Sequence, residues 1–237
     1  MIKTLFNIEC ILVVVMLFAM VAQRFQFLPF KLAFGGFSLA LLVAALLSAV
    51  ALVVLLLSFG VISADVRSLS AATFAVGAVP LVLVILLVGA GFKVPKIHDI
   101  STDLNDPLHF VHAKTLRTDS ENSLETPSAK VMDLQRAHYT TLAPLSVVDP
   151  AVTAYEKALR VAENLGWQVI YQSPETFTFE ASESTALFGF VDDVVVRVRQ
   201  TDSGSVIDMR SVSRVGVSDL GANAKRIERF QSAYLKK

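Results

Sequence analysis

Three apolar segments near the start of the chain restrict its fold more than any other feature. A helix needs about 20 mostly apolar residues to cross the roughly 30 Å of hydrocarbon in a bilayer. The segments at about 5–22, 32–59 and 69–92 meet this length, and the second and third contain no charged residue. The sequence therefore predicts an integral membrane protein whose residues 1–92 form a three-helix transmembrane region.

The first segment leaves two questions open. It could be a cleaved signal peptide, but Met20 is a poor match to the small residues expected before a cut after Ala22, which favours a retained span. Glu9 is interpreted first as an end residue whose carboxylate reaches the membrane interface, and alternatively as an intramembrane proton or ion site. Cys10 is the only cysteine, so the chain cannot form an internal disulfide.

The second and third spans carry signs of close helix packing. Small residues repeat every four positions at Ala40, Ala44 and Ser48, a spacing that lets another helix approach closely. Gly77 and Pro80 in the third span predict a kink, which is most often a packing feature. Since the spans lack central charges, we do not expect a transport pathway through them.

Basic residues beside the spans indicate an orientation only weakly. With a cytoplasmic N-terminus, Lys3 and Arg67 lie on the cytoplasmic side. With the opposite orientation, the cytoplasmic side carries Arg24, Lys31, Lys93 and Lys96. Cytoplasmic loops carry an excess of Lys and Arg, so the charge count favours a cytoplasmic C-terminal domain by two charges.

Beyond the spans the chain becomes polar and divides near residue 149. Residues 93–148 are predicted to form a polar extended linker and loop: the part after the spans is extended and bounded by Pro, and residues 114–130, rich in Ser, Thr, Glu and Asn without an apolar period, are typical of a surface loop. Residues 149–237 carry regular apolar patterns and are predicted to form a compact domain. The formal net charge of the chain is zero, and without a basic excess we expect no nucleic-acid partner.

The compact domain is predicted to consist of a helix, four strands and a second helix. The first helix follows Asp149 and stops at Gly166, and the second begins after Ser218 or Asp219. Four alternating runs lie between them, at 167–172, 176–182, 193–200 and 205–215. This order predicts an α+β domain in which two helices cover the apolar face of a four-stranded antiparallel sheet.

The opposite face of the two central strands is predicted to be charged, with Asp193, Arg197, Arg199, Asp208, Arg210 and Arg214. A two-residue turn at 203–204 would place Arg197 opposite Arg210, a repulsive pair that requires an anionic neighbour. That neighbour is either Glu180 of the next strand, or a bound phosphate, carboxylate or lipid headgroup. A four-residue turn would instead place Arg197 opposite Asp208, which weakens the argument for a ligand.

His98, Asp99 and Asp192 are the candidates for acid or base chemistry. His98 and Asp99 lie among Ser and Asp residues just after the spans, but adjacency in sequence does not give the converging geometry of a catalytic site. His109 and His112 are spaced i, i+3 without an evident third ligand, so we expect no metal site. The sequence contains no nucleotide-binding or hydrolase signature, and we expect no cofactor.

Four separated phrases are similar to one protein family. They are IHDISTDLNDP at 97–107, GWQVI at 166–170, FGFVDDVVVRVR at 188–199 and RSVSRVGVSDLGANAKRI at 210–227. Over about 95–230 the chain resembles the bacterial and plastid family called domain of unknown function 1499. Similar proteins often carry membrane spans before the domain. Others resemble secreted lipoproteins, which implies an extracytoplasmic domain and opposes the charge count. The resemblance implies no activity and no catalytic residues.

These observations favour a non-enzymatic binding or assembly module tethered to the bacterial inner membrane. We expect membrane lipids, and other membrane proteins of the cell envelope, as partners of a site for an anionic headgroup or protein. The candidate ligand-binding residues are Arg197, Arg210, Arg214, Asp193, Asp219 and Asn223. The alternatives are a membrane-associated hydrolase of lipid or envelope substrates, and a structural subunit of a larger membrane complex.

Overall fold

The computed structural model describes residues 1–58 and 63–236, which form two compact units. Residues 1–90 make up the first unit together with the short segment 186–189. The second unit contains the rest of the chain from residue 91 onwards. Each unit has its own hydrophobic core.

Three long helices build the first unit: α1 (Ile2–Arg24), α2 (Phe30–Leu57) and α3 (Ala64–Val88). Each is long and apolar enough to cross a membrane, so the three predicted helices are confirmed. The predicted end of the second span, Phe59, lies outside the described residues. The third helix stops at Val88 because a short 3₁₀ turn, Gly89–Lys93, follows it.

The interior of the three-helix unit contains small and polar residues. Ala40, Ala44 and Ser48 are all buried, which confirms the packing face predicted for α2. Glu9 is fully buried as well, so its interpretation as a residue that reaches the interface is wrong. The reason is that α1 begins at Ile2, which places Glu9 about 10 Å along the helix axis from the first residue.

The second unit is built on one antiparallel sheet of six strands, not the four that the sequence predicts. The strands are β1 (Asp99–Ser101), β2 (Leu145–Val147), β3 (Gln168–Ser173), β4 (Thr178–Ser184), β5 (Val191–Thr201) and β6 (Gly204–Ser213). Their order is β1-β6-β5-β4-β3, and β2 also pairs with β6. The extra strands β1 and β2 have three residues each, too few to give a visible alternation in sequence, and they come from the segment interpreted as a linker.

One face of the sheet is covered by α6 (Ala151–Asn164) and α7 (Ala222–Leu235), as predicted. Val194, Val196, Val198, Ile207 and Met209 point into this core. The only tryptophan of the chain, Trp167, is buried there with its ring stacked on Phe230 at 5.3 Å between centroids. This packing makes Trp167 a reporter for the folding of the second unit alone.

The other face is covered by residues 103–125, here called the covering segment, which include α4 (Ala113–Leu116). The next helix, α5 (Ala129–His138), instead contributes Val131 to the core on the helix-covered face. Apolar residues of the covering segment pack on Val195 and Val212 of the sheet, in a cluster completed by Leu108, Phe110, Ala113 and Leu124. The charged face is therefore buried in part beneath a third layer. The sequence predicts a polar surface loop here instead, because the segment lacks an apolar period.

The hairpin of β5 and β6 adopts the register that places Arg197 opposite Asp208. Thr201 pairs with Gly204, so Asp202 and Ser203 form the turn, and a direct pairing of Arg197 with Arg210 is wrong. Gly204 has a φ of 143°, and a Cβ there would overlap the backbone of Val147 and Val148 beside β2. Only glycine fits this position, which fixes the turn and the register.

Candidate anion-binding site

Arg210 is buried completely and is held by the protein itself. Its Nε and Nη2 donate to the two carboxylate oxygens of Asp99 at 3.0 and 2.8 Å, which is a bidentate ion pair. Its Nη1 donates to the carbonyl of Leu108 at 2.7 Å, and Nη2 also donates to the carbonyl of Glu125 at 2.6 Å. Arg210 thereby fastens β1 and the covering segment to β6, and its donors point away from solvent.

Arg214 and Asp193 belong to a second internal cluster. The carboxylate of Asp193 is fully buried and accepts from Arg214 at 2.9 and 3.1 Å. It also accepts from Nε of Arg117 at 2.7 Å, and Arg117 donates in addition to the carbonyls of Asn122 and Val212. Sequence reasoning missed Arg117 because it lies in a polar stretch without periodicity. The cluster ties this stretch to the sheet.

Arg197 and Arg199 differ because both reach the surface. The buried carboxylate of Asp208 accepts from Arg199 at 2.6 and 3.1 Å and from Arg197 at 3.2 and 3.4 Å. Outside this shared anchor, Arg197 meets Asp106 at 2.8 Å and Arg199 meets Asp103 at 3.6 Å. The side chains of Asp106 and Arg199 are 63% and 45% exposed, and those of Arg197 and Asp103 are 23% and 20% exposed. Two guanidinium groups are thus fixed side by side with their outer edges near solvent.

The pKa shifts in this exposed cluster agree with its ion pairs. The hydrogen bond from Arg197 lowers the pKa of the Asp106 carboxyl below its ordinary value, with the charge of Arg197 as the second cause. The hydrogen bond to Asp208 raises the pKa of Arg199. Asp106 and Arg199 are therefore charged at neutral pH, and an incoming anion would compete with the carboxylates of the loop for the arginines.

Glu180 does not neutralise the arginines, so the predicted charge ladder across the strands is wrong. Its carboxylate accepts instead from the backbone N–H groups of Val111, His112 and Ala113, at the start of α4. A carboxylate at the first turn of a helix satisfies donors that have no partner within the helix. Glu180 therefore anchors the covering segment to β4.

His98, Asp99 and Asp192 are not brought together as an acid–base group. His98 and Asp99 line an open cleft of about 500 Å³ that also contains Ser123 and Ser128. The Asp99 carboxylate, in the wall of this cleft, already forms an ion pair with Arg210. Asp192 lies outside the lining of the cleft and pairs with Arg226 of α7.

A family model described as "Protein of unknown function (DUF1499)" matches residues 99–233 of the chain. The match runs from the first residue of β1 into α7 and covers more than half of the sequence. The chain belongs to the DUF1499 family. The three apolar helices lie before the matched DUF1499 region, and a search of curated proteins gives no match.

Asp219 and Asn223 of the DUF1499 domain organise the start of α7. The carboxylate of Asp219 accepts from the backbone N–H groups of Gly221 at 2.8 Å and Asn223 at 3.0 Å. The Asn223 amide donates to the His98 carbonyl at 2.9 Å, and its oxygen accepts from Ser211 at 2.6 Å. These contacts join α7 to β1 and β6 and leave the two side chains with structural partners.

The Asp219 carboxyl gives the stability of the DUF1499 domain a distinctive pH dependence. Burial raises its pKa, which outweighs the opposing backbone hydrogen bonds. The folded domain then binds this proton more tightly than the unfolded chain, whose Asp has a pKa of about 3.9. The contribution of Asp219 to stability is therefore complete below that value and decreases as the pH rises through the folded pKa.

Replacing Asp219 by Asn should remove this decrease, because Asn keeps an acceptor for the helix start without a titrating proton. As the pH is raised from acid to neutral, we expect the free energy of unfolding of D219N to increase relative to that of the wild-type chain. Urea unfolding followed by Trp167 fluorescence measures both. A stability difference that stays constant across this pH range would contradict the assignment.

Proposed function

We propose that this DUF1499 chain is a membrane-tethered, non-enzymatic module that binds an anionic group on the partly exposed pair Arg197 and Arg199. One observation carries the proposal: a single buried carboxylate, Asp208, holds both guanidinium groups in place, while their outer partners Asp103 and Asp106 lie on a surface loop. An arginine that is fixed before binding loses little conformational freedom when a ligand arrives. The pair is therefore suited to recognition.

The ion pairs to the loop are weak enough to exchange. Exposed salt bridges contribute about 0–1 kcal/mol to stability, since water and salt screen them. A phosphate monoester carries more charge and more acceptor oxygens than either of the Asp103 and Asp106 carboxylates that it would displace, and arginine offers it a bidentate donor. The favoured ligand class is a phosphate-bearing headgroup or another compact anion.

The three apolar helices support a ligand that is found at a membrane. They tether the DUF1499 domain to the bilayer, whose surface presents phosphate-bearing lipid headgroups, some of them anionic. The family resemblance to secreted lipoproteins favours the periplasmic side of a bacterial inner membrane, whereas the basic flanking residues favour the cytoplasm. We adopt the periplasmic side, with envelope lipids and membrane proteins as partners.

The hydrolase and complex-subunit alternatives have less support. A hydrolase requires acid and base groups that converge in one pocket, but Asp99 is paired with Arg210 and Asp192 with Arg226. No observation favours a fixed membrane complex over a binding module. Recovery of the chain with other membrane subunits at a constant ratio would favour the complex.

The proposal predicts that the R197Q/R199Q variant loses anion binding. Titration of the full-length chain in phosphatidylcholine nanodiscs with glycerol phosphate, followed by calorimetry, should give a saturable heat for the wild type. Hydrogen bonds to charged groups contribute about 1.5–3 kcal/mol each, so the variant should bind at least roughly tenfold more weakly. Trp167 fluorescence verifies that the variant is folded.

The matched control is R160Q/K225Q, which removes the same two charges from exposed positions on α6 and α7. These helices cover the opposite face of the sheet. The control should bind glycerol phosphate like the wild type. No saturable heat with the wild type, or an equal loss in the control, would overturn the proposal.

A further inference from the structure

Glu9 lies in the interior of the three-helix unit, where all three helices meet it. The residue is fully buried on α1, and its carboxylate lies against Ser48 of α2 and the backbone of Gly77 of α3. A Cβ on Gly77 would overlap both carboxylate oxygens and the Ser48 hydroxyl, so only glycine leaves room for them. Gly77 is near the middle of α3, so the Glu9 carboxylate that lies against it is deep in the span.

The carboxylate has few polar neighbours. The Ser48 hydroxyl is 3.4 Å from Oε1 of Glu9 and 3.2 Å from the carbonyl of Phe74, and its single proton can serve only one of them at a time. Oε2 has no hydrogen-bond partner among the described residues. Ser70 and Thr73 of α3 are also buried but donate to carbonyls of their own helix, at Val66 and Leu69.

No positive charge offsets Glu9 within the described part of the three helices. The other titratable side chains of the helices are Lys3 and Cys10 and Arg24 on α1, Lys31 on α2, and Asp65 and Arg67 on α3. None forms an ion pair or hydrogen bond with Glu9 in the described structure, and Lys31, Asp65 and Arg67 are within two turns of a helix start. An unpaired charge in hydrocarbon costs many kcal/mol, so a carboxyl in this place requires a neutralising partner.

We propose that Glu9 is a proton-binding site within the membrane and that it carries its proton at neutral pH. A proton neutralises the carboxyl without further ligands. A metal cation would need more oxygen ligands than the Glu9, Ser48 and Phe74 oxygens provide. The bound proton lets the three helices pack around Gly77, and its loss would place a bare charge at their interface. This inference is independent of anion binding by the arginine pair.

Infrared spectroscopy of the full-length chain in nanodiscs tests the proposal directly. The difference spectrum between the wild type and the E9Q variant at neutral pH should contain the carbonyl stretch of a protonated carboxylic acid. The same band should occur in sodium and in potassium buffers. The S48A variant should keep the band, because the proton and not the hydroxyl neutralises Glu9.

Two other outcomes would overturn the proposal. A carboxylate stretch in both buffers would show an ionised Glu9, and one that occurs only in sodium would show a bound cation in place of the proton.

A second measurement on the wild type needs no variant. The apolar reagent dicyclohexylcarbodiimide reacts with protonated carboxyl groups, and an adduct on the peptide that contains Glu9 is expected at neutral pH and should be lost at alkaline pH.

Discussion

Replacing Arg210 by Gln is expected to destabilise the DUF1499 domain by about 3–5 kcal/mol, because one partner of a buried ion pair is removed. Asp99 would remain as a buried charge without a counter-ion. The carbonyls of Leu108 and Glu125 would lose their donors as well. The effect is a large fraction of the roughly 5–15 kcal/mol that stabilises a typical domain.

Urea unfolding of the full-length chain in dodecyl maltoside micelles, followed by Trp167 fluorescence, measures the effect on this domain alone, since the chain has one tryptophan and the detergent has none. The exposed R160Q variant serves as the control and should change stability by less than about 0.5 kcal/mol. The double variant R210M/D99N removes both charges and should recover part of the loss. A change for R210Q as small as the control would contradict the structural role of Arg210.

The second large effect is expected at Asp193. In D193N the guanidinium groups of Arg117 and Arg214 lose their shared carboxylate, which is fully buried. We expect a loss of about 3–5 kcal/mol, since removing one member of a buried charge network leaves the others unpaired. The variant D133N, at an exposed carboxylate on α5, is the matched control.

A proteolysis experiment distinguishes the local consequence of D193N from general unfolding. Arg117 attaches the stretch around Asn122 to β6, so this stretch should become the first site of cleavage in the variant. The wild type and D133N should resist cleavage there under the same conditions. Equal cleavage patterns in all three would contradict the attachment by Asp193.

Long periodic elements were predictable from the sequence, whereas short ones were not. The three apolar helices stand out as long apolar segments, and α6, α7 and strands β3 to β6 each show a clear period over many residues. The three-residue strands β1 and β2 show none, and they form because the edge of β6 away from β5 has backbone N–H and C=O groups that need partners. The covering segment packs a few apolar residues such as Leu108 and Phe110 between polar ones, which resembles a loop in sequence.

The roles of the charged residues depended on a register that the sequence left open. Alternation along the strands correctly placed Asp193, Arg197 and Arg199 on one face of β5. Their partners could not be predicted, because Asp103, Asp106 and Arg117 come from distant parts of the chain. The buried position of Glu9 was only the alternative interpretation for a related reason, since it depends on how α2 and α3 pack against α1.

The four arginines of the charged face differ in what their replacement tests. Arg210 and Arg214 are held by internal carboxylates, so their replacement reports on folding. Arg197 and Arg199 share the buried Asp208 but also reach solvent, so their replacement reports on binding only in a variant whose Trp167 fluorescence shows that the domain is folded. A variant that combined Arg197 with Arg210 would mix the two effects.

The most direct test of the central claim removes the competitors of the ligand and leaves the arginines unchanged. In the D103N/D106N variant, the side-chain amide oxygen introduced at position 103 keeps the acceptor for the turn. The two loop side chains that meet Arg197 and Arg199 are then no longer charged, while Asp208 is unchanged. Glycerol phosphate should bind this full-length variant roughly two- to tenfold more tightly than the wild type, as expected for removal of two exposed ion pairs. Unchanged or weaker binding, measured by the same calorimetry with D133N/E156Q as the control, would contradict an anion site at this pair.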